Sequence, residues 1–170
     1  MGSVSRVSPP VVALCLAAMA MAGCSTWGGP PPPPEPQPSP TALPAPELPA
    51  RVRSAEIVGR WGYAAYHRAP DRARTEAAAR RQCSQPYVIA QGPSGGVMMH
   101  LADASQPEEL RLKGSQSGRD FIGPAGEPAG GPRDREIVSF DGRVLVLRFV
   151  DTEVSTRYGT SVYVRCAPRA

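Results

Sequence analysis

Val138-Ser139-Phe140-Asp141-Gly142-Arg143-Val144-Leu145-Val146-Leu147-Arg148-Phe149 is the stretch whose reading decides the fold. Apolar residues flank Asp141-Gly142, and an Asp-Gly pair supplies the left-handed backbone that a tight type I′ turn demands. Folding Val138-Ser139-Phe140 onto Arg143-Val144-Leu145 places Val138, Phe140, Leu145, Leu147 and Phe149 on one face. The stretch is therefore an antiparallel hairpin with one buried side.

The same period of two continues outward from it. Thr160 to Cys166 sets Val162, Val164 and Cys166 on one face and Ser161, Tyr163 and Arg165 on the other. Upstream, Val97, Met99 and Leu101 alternate with Met98 and His100, and Leu110 and Leu112 alternate with Glu109, Arg111 and Lys113. Tyr87 to Ala90 and Phe121-Ile122 are shorter pieces, separated from their neighbours by Gly92-Pro93-Ser94-Gly95-Gly96 and by the Pro/Gly-rich loop Gly123 to Pro132. Ile57 to Tyr66 is aromatic-rich and reads as the first strand. A helix is expected only over Pro70 to Cys83, where Pro70 and Asp71 suit a start and Glu76 with Arg80 forms an i,i+4 pair. Thr75, Ala79 and Cys83 share one face of it, a stripe of small residues fit to lie close against a sheet. Seven or eight short strands and one helix in some 115 residues predict a mainly β domain. Its expected form is a small antiparallel barrel or strongly curved sheet, with the helix near its N-terminus.

The first residues carry an address. Val11 to Ala22 is an uncharged apolar run of about a dozen residues, short of the ~20 that a membrane-spanning helix needs and suited to the core of a secretory signal peptide. It ends in Met21-Ala22-Gly23-Cys24, which resembles the lipobox of bacterial lipoproteins. Met21 stands where Leu is commonest, and Arg6 is the one basic side chain before the run. The resemblance implies cleavage before Cys24, a diacylglycerol on its thiol and, with Ser25 rather than Asp following, attachment to an outer membrane facing the periplasm. Residues 24–53 then form a tether. Eleven of the 20 residues from Pro30 to Pro49 are proline, which excludes helix and sheet and favours polyproline II. At ~3.1 Å per residue, Trp27 to Ala50 would span about 70 Å when extended. The globular domain is expected over 54–170.

Removing residues 1–23 from 170 leaves 147, and losing Arg6 takes the charge from +4 to +3. So mild a balance gives no basis for nucleic-acid binding. Arg outnumbers Lys 18 to 1, a bias of a GC-rich genome. With Cys15 removed and Cys24 lipidated, Cys83 and Cys166 remain, and in an exported domain they are expected to form a disulfide. Closing a loop of about 84 residues is worth roughly 4.5 kcal/mol on the chain-entropy model. A redox or metal pair is the alternative, but there is no Cys-x-x-Cys.

No set of residues announces catalysis. Gly92-Pro93-Ser94-Gly95-Gly96 has the form Gly-x-Ser-x-Gly, but a nucleophile elbow requires a strand-to-helix turn, and here a strand follows. His100 and Asp103 are near only in sequence. His67 and His100 lie on different elements, which leaves no metal set, and alternation puts Met98 and His100 outward with Met99 inward. Arg68, Arg72, Arg74, Arg80 and Arg81 gather on or beside the helix, either as a solvated face or as a contact for an anionic envelope component. Neither a cofactor nor a metal is expected.

Three further resemblances bear on function. Gly59-Arg60-Trp61 resembles the Gly-x-Trp that opens lipocalin-like barrels, which implies that Trp61 plugs one end and packs on a late-strand arginine, here Arg165. Ser117-Gly118-Arg119-Asp120-Phe121 is similar to the Ser-Gly-x-x-Tyr loop of lipoprotein inhibitors of c-type lysozyme, which implies enzyme contact through Ser117 and Gly118; Phe121 replaces the tyrosine. Residues 57–166 also resemble uncharacterised one-domain lipoproteins of alphaproteobacteria. The expectation is a membrane-anchored, non-enzymatic binding or structural module, whose partner is an envelope component or a small apolar ligand. A lysozyme or protease inhibitor, or a hydrolase, is the alternative. A carrier should have an apolar cavity behind Trp61, an inhibitor an ordered exposed loop at Ser117 to Ile122, and a hydrolase a cleft with a base near Ser94.

Overall fold

Strand β2 (Gly59–Tyr66) begins a meander that closes on itself. The computed structural model describes residues 48–168; the leader, Cys24 and the proline-rich stretch up to residue 47 lie outside them. After β2 come β3 (Tyr87–Gln91), β4 (Val97–His100), β5 (Pro107–Gly114), β6 (Asp120–Pro124), β7 (Arg135–Phe140), β8 (Val144–Phe149) and β9 (Thr160–Arg165). Each pairs antiparallel with the next, and β9 pairs back onto β2 from Trp61↔Arg165 to Tyr66↔Thr160. The result is a closed eight-stranded up-and-down barrel, the architecture expected from the alternating strands. Closure leaves none of these strands as an open edge. A two-residue strand β1 (Leu48–Pro49), in the part of the chain read as tether, adds to β5 at Gly114 and Lys113. Arg51 reinforces that attachment through Asp120.

Inside and outside are sorted by period two. Ile89, Val97, Met99, Leu110, Ile122, Leu145, Leu147 and Tyr163 are buried together in the barrel with Trp61. The opposite face of β2 and β9 is also apolar, because helix α2 (Arg72–Arg81) lies over it. Ala79 of α2 packs on Val162 and Val164, beside Ala64 and Tyr66. Gly62 permits the close approach, since a Cβ there would stand 1.9 Å from the Ala79 carbonyl oxygen. Thr75 and Ala79 are buried on the helix face predicted to meet a sheet. The chain leaves α2 through a 3₁₀ turn, Gln82–Ser84, and Cys83 joins Cys166 just past β9, with Cα atoms 5.6 Å apart.

Several local expectations change. Ile57 belongs to a one-turn helix, α1 (Ser54–Ile57), so the first strand starts at Gly59. The hairpin β7–β8 forms, but its register shifts between Ile137 and Ser139. A bulge inserts one unpaired residue, so Val138 leaves the core stripe and is 42% exposed, while Ile137 takes the inward place. At the turn only Gly142 has positive φ, at +83°, and Asp141 pairs with Val144. Gly142-Arg143 is thus the central pair, with glycine first as in a type II′ turn. Asp141 Oδ1 accepts from the N–H groups of Arg143 and Val144, which holds its carboxyl below the usual range. A third helix, α3 (Thr152–Tyr158), fills the β8–β9 connection, capped by the Asp151 side chain on the Val154 N–H.

The Pro/Gly-rich loop is fixed over the outside of β5 and β6 by the chain's one lysine. Lys113 donates to the carbonyls of Pro124 and Glu127 and, at 2.7 Å, to Asp134. Both charged side chains are almost wholly buried, and Phe121 is buried against Gly130 of the same loop.

Candidate functional site

The two ends of the barrel differ. The inward residues of the β2–β9 ladder run Trp61↔Arg165, Tyr63↔Tyr163 and Ala65↔Ser161. At the first rung Trp61 is fully buried and donates its indole N–H to the Ile57 carbonyl at 2.9 Å. The Arg165 guanidinium lies over the ring, 4.2 Å from its centroid, and donates to the carbonyls of Gly142, Val58 and Glu56. This is the plug that the Gly-x-Trp resemblance implies. With its faces covered and its N–H engaged, Trp61 has no surface left for a ligand.

The opposite end is open. A cavity of about 430 Å³ is lined by Tyr63, Tyr87, Tyr163, Ser161, Arg135 and Phe149, with His100 and residues 101–105 at its rim. That volume lies in the range of small-molecule sites, roughly 300–1,000 Å³. Its walls are aromatic. Tyr163 lies with ring centroids 5.1 Å from Tyr63 and 5.6 Å from Tyr87. The cavity stands above Trp61, separated from it by the Tyr63–Tyr163 rung.

Hydrogen bonds hold the walls in place. The Tyr87 hydroxyl accepts from the His100 backbone N–H at 3.0 Å and lies 3.2 Å from His100 Nδ1. His100, expected to point outward with Met98, instead turns onto Tyr87 at the rim, with ring centroids 5.7 Å apart. Beyond it, Asp103 adopts φ +60°, an uncommon conformation for a residue with a side chain. Arg157 and Tyr158 of α3 both bond its carboxylate, so the rim loop is tied down.

The electrostatics of the cavity are one-sided. Arg135 is 6% exposed, donates to the His100 carbonyl and stacks its guanidinium 4.8 Å from the Phe149 centroid. Its Nε–H is buried without a hydrogen-bond partner. Burial pushes the Tyr163 phenol well above its ordinary range and raises Tyr87 as well; the Arg135 charge opposes both shifts. The inner wall of the cavity is therefore phenol, phenyl and the Ser161 hydroxyl around the Arg135 guanidinium, with His100 and the Arg157-paired Asp103 at the rim.

The other residues singled out from sequence fall elsewhere. Ser94 sits on the exposed β3–β4 turn, where its backbone N–H, with that of Gly96, donates to Glu109. Burial acts to raise the Glu109 carboxyl, and these N–H groups outweigh it and hold it below the usual range. The length of β4 separates Ser94 from His100; the carboxylate beside Ser94 is Glu109, already engaged by the backbone N–H groups of Ser94 and Gly96. Ser117 and Gly118 lie on an exposed turn closed by Ser115 and Arg119, while Phe121 is buried and cannot contact an enzyme. Of the α2 arginines, Arg72 and Arg80 pair with Glu76, and Arg74 with Asp71. His67 borders a separate polar groove with Arg148 and Glu136. No group of three metal-ligating side chains converges among the described residues.

No family model, curated protein or solved structure matches the chain.

Proposed function

We propose that this chain is a lipid-anchored protein of the bacterial envelope whose barrel binds a small apolar ligand at its open mouth and performs no chemistry on it. The observation that carries the binding reading is the aromatic cavity of about 430 Å³ above a sealed barrel floor. Aromatic rings supply large apolar area at low conformational cost, as ligand sites require. The envelope reading rests on Met21-Ala22-Gly23-Cys24 at the end of the apolar run, and on two cysteines that fit an oxidising compartment. Ser25 after the lipidated position directs the anchor to the periplasmic face of an outer membrane. Several acyl chains hold far more firmly than the marginal grip of one.

Each half has its own test. Fractionation after Cys24→Ser is expected to show loss of processing; normal processing with unchanged membrane yield overturns the anchor. A screen of the purified protein against ester, peptide, glycan and phosphate substrates is expected to show no turnover. Turnover that disappears with Ser94→Ala or His100→Ala would replace the binding module with a hydrolase.

A further inference from the structure

We infer that the ligand of the mouth cavity is a monoanion, an apolar body bearing one carboxylate, and that Arg135 is the residue that holds that carboxylate. The inference rests on the binding reading above and specifies its chemistry. Its source is an imbalance at Arg135. A guanidinium removed from water needs a counter-charge or a full set of hydrogen-bond acceptors, and each deficit is costly. Arg135 is 6% exposed, yet it has one carbonyl acceptor, from His100, and a buried Nε–H with none.

The acids that could neutralise it are engaged elsewhere. Asp134, its chain neighbour, is bound to Lys113 on the outside of the barrel. Glu136, on the other side, faces outward to Arg148 and Arg119. Asp103 at the rim is taken by Arg157 and Tyr158. Among the described residues no carboxylate pairs with Arg135. Among the described residues the charge is uncompensated, and it borders the aromatic-walled cavity at the barrel mouth.

The occupant's chemistry follows from these groups. Arginine presents a planar fork that matches a carboxylate. Arg135 is the cation in the cavity lining, and the rim carboxylate of Asp103 is already paired with Arg157, so a single added negative charge balances the site, whereas a phosphate dianion would be left in excess. Tyr63, Tyr87, Tyr163 and Phe149 surround the remaining space and suit an apolar, preferably planar, body. The Phe149 ring beneath the guanidinium fixes its plane, so the fork is oriented before the ligand arrives.

The test uses the full chain with Cys24→Ser, oxidised at Cys83–Cys166, and two probes of matched shape, trans-cinnamate and trans-cinnamamide. Cinnamate is expected to bind at least about tenfold more tightly than the amide, the scale of one charge-assisted hydrogen bond. Its binding should shift the ¹H–¹⁵N signal of Arg135 Nε–H further than binding of the amide, whose neutral carbonyl is the weaker acceptor. Arg135→Gln should abolish the preference, lowering cinnamate affinity at least about tenfold, to the level of the amide. Equal affinity of the two probes for the parent chain, with both shifting the tyrosine signals, overturns the carboxylate assignment and leaves the binding reading standing. No tyrosine shift with either probe overturns both. The Nε–H readout needs no substitution, so the result holds even where Arg135→Gln fails to fold.

Discussion

Arg165 covers the indole of Trp61 at 4.2 Å and spends its donors on three carbonyls, from Glu56, Val58 and Gly142. One side chain thereby ties α1, the start of β2 and the β7–β8 turn across the closed end of the barrel. Lysine keeps the charge but not the planar fork that reaches three acceptors. Arg165→Lys is expected to lower stability by about 2–4 kcal/mol, with two or more buried acceptors losing their donors. Urea unfolding followed by Trp61 fluorescence reads this; an unchanged midpoint would show that the plug is not held by the guanidinium.

Lys113 and Asp134 make a second long-range tie, with both side chains out of water. Breaking such a pair from one side leaves an uncompensated buried charge. Lys113→Met and Asp134→Asn are each expected to cost about 3–5 kcal/mol, with the double substitution costing less than the sum of the two. A double-mutant cycle in urea measures the coupling, and simple additivity contradicts it.

The disulfide joins the 3₁₀ turn after α2 to the residue just past β9 over a separation of 83 residues. Reduction is expected to lower stability by up to about 4.5 kcal/mol through the freed unfolded chain. Mass spectrometry of protein isolated without reductant should give a mass about 2 Da below that of the reduced chain. Two freely alkylated thiols would contradict the pairing.

Burial raises the phenols of Tyr163 and Tyr87, so their protonated forms are favoured in the folded state. Their contribution to stability is complete below the unfolded-state value of about 10 and is lost as pH climbs through the folded values. Stability should therefore fall with rising pH above about 10, less steeply in Tyr163→Phe. Phenolate absorbance should appear for these two rings only as the barrel opens. Ionisation near the ordinary value with an unchanged circular dichroism spectrum would contradict their burial.

The barrel was legible in the sequence because each strand carries its own alternation, and the helix stripe Thr75, Ala79, Cys83 pointed to the face where Cys166 waits. Local signals for α3 were present in Asp151 as N-cap and Gly159 at the C-terminus, but seven residues without an apolar period do not stand out. The bulge at Val138 was not legible, since alternation alone cannot show where one strand holds an extra residue. The mouth was hidden for another reason. Tyr63, Tyr87, Arg135, Phe149 and Tyr163 come from five strands and meet only when the barrel closes. Arg135 sits in the run Arg133-Asp134-Arg135-Glu136, where nothing local separates an inward charge from its solvated neighbours.

On the proposed function, the open mouth, and not the Trp61 end, receives the ligand. The most direct measurement is a ¹H–¹⁵N and aromatic ¹H–¹³C titration of the full chain carrying Cys24→Ser with indole, a neutral planar probe. Saturable shifts are predicted at Tyr63, Tyr87, Tyr163 and Phe149, with the Trp61 indole N–H, already bonded to Ile57, unmoved. Shifts centred on Trp61, or none at the mouth up to the solubility of indole, would contradict binding at the mouth.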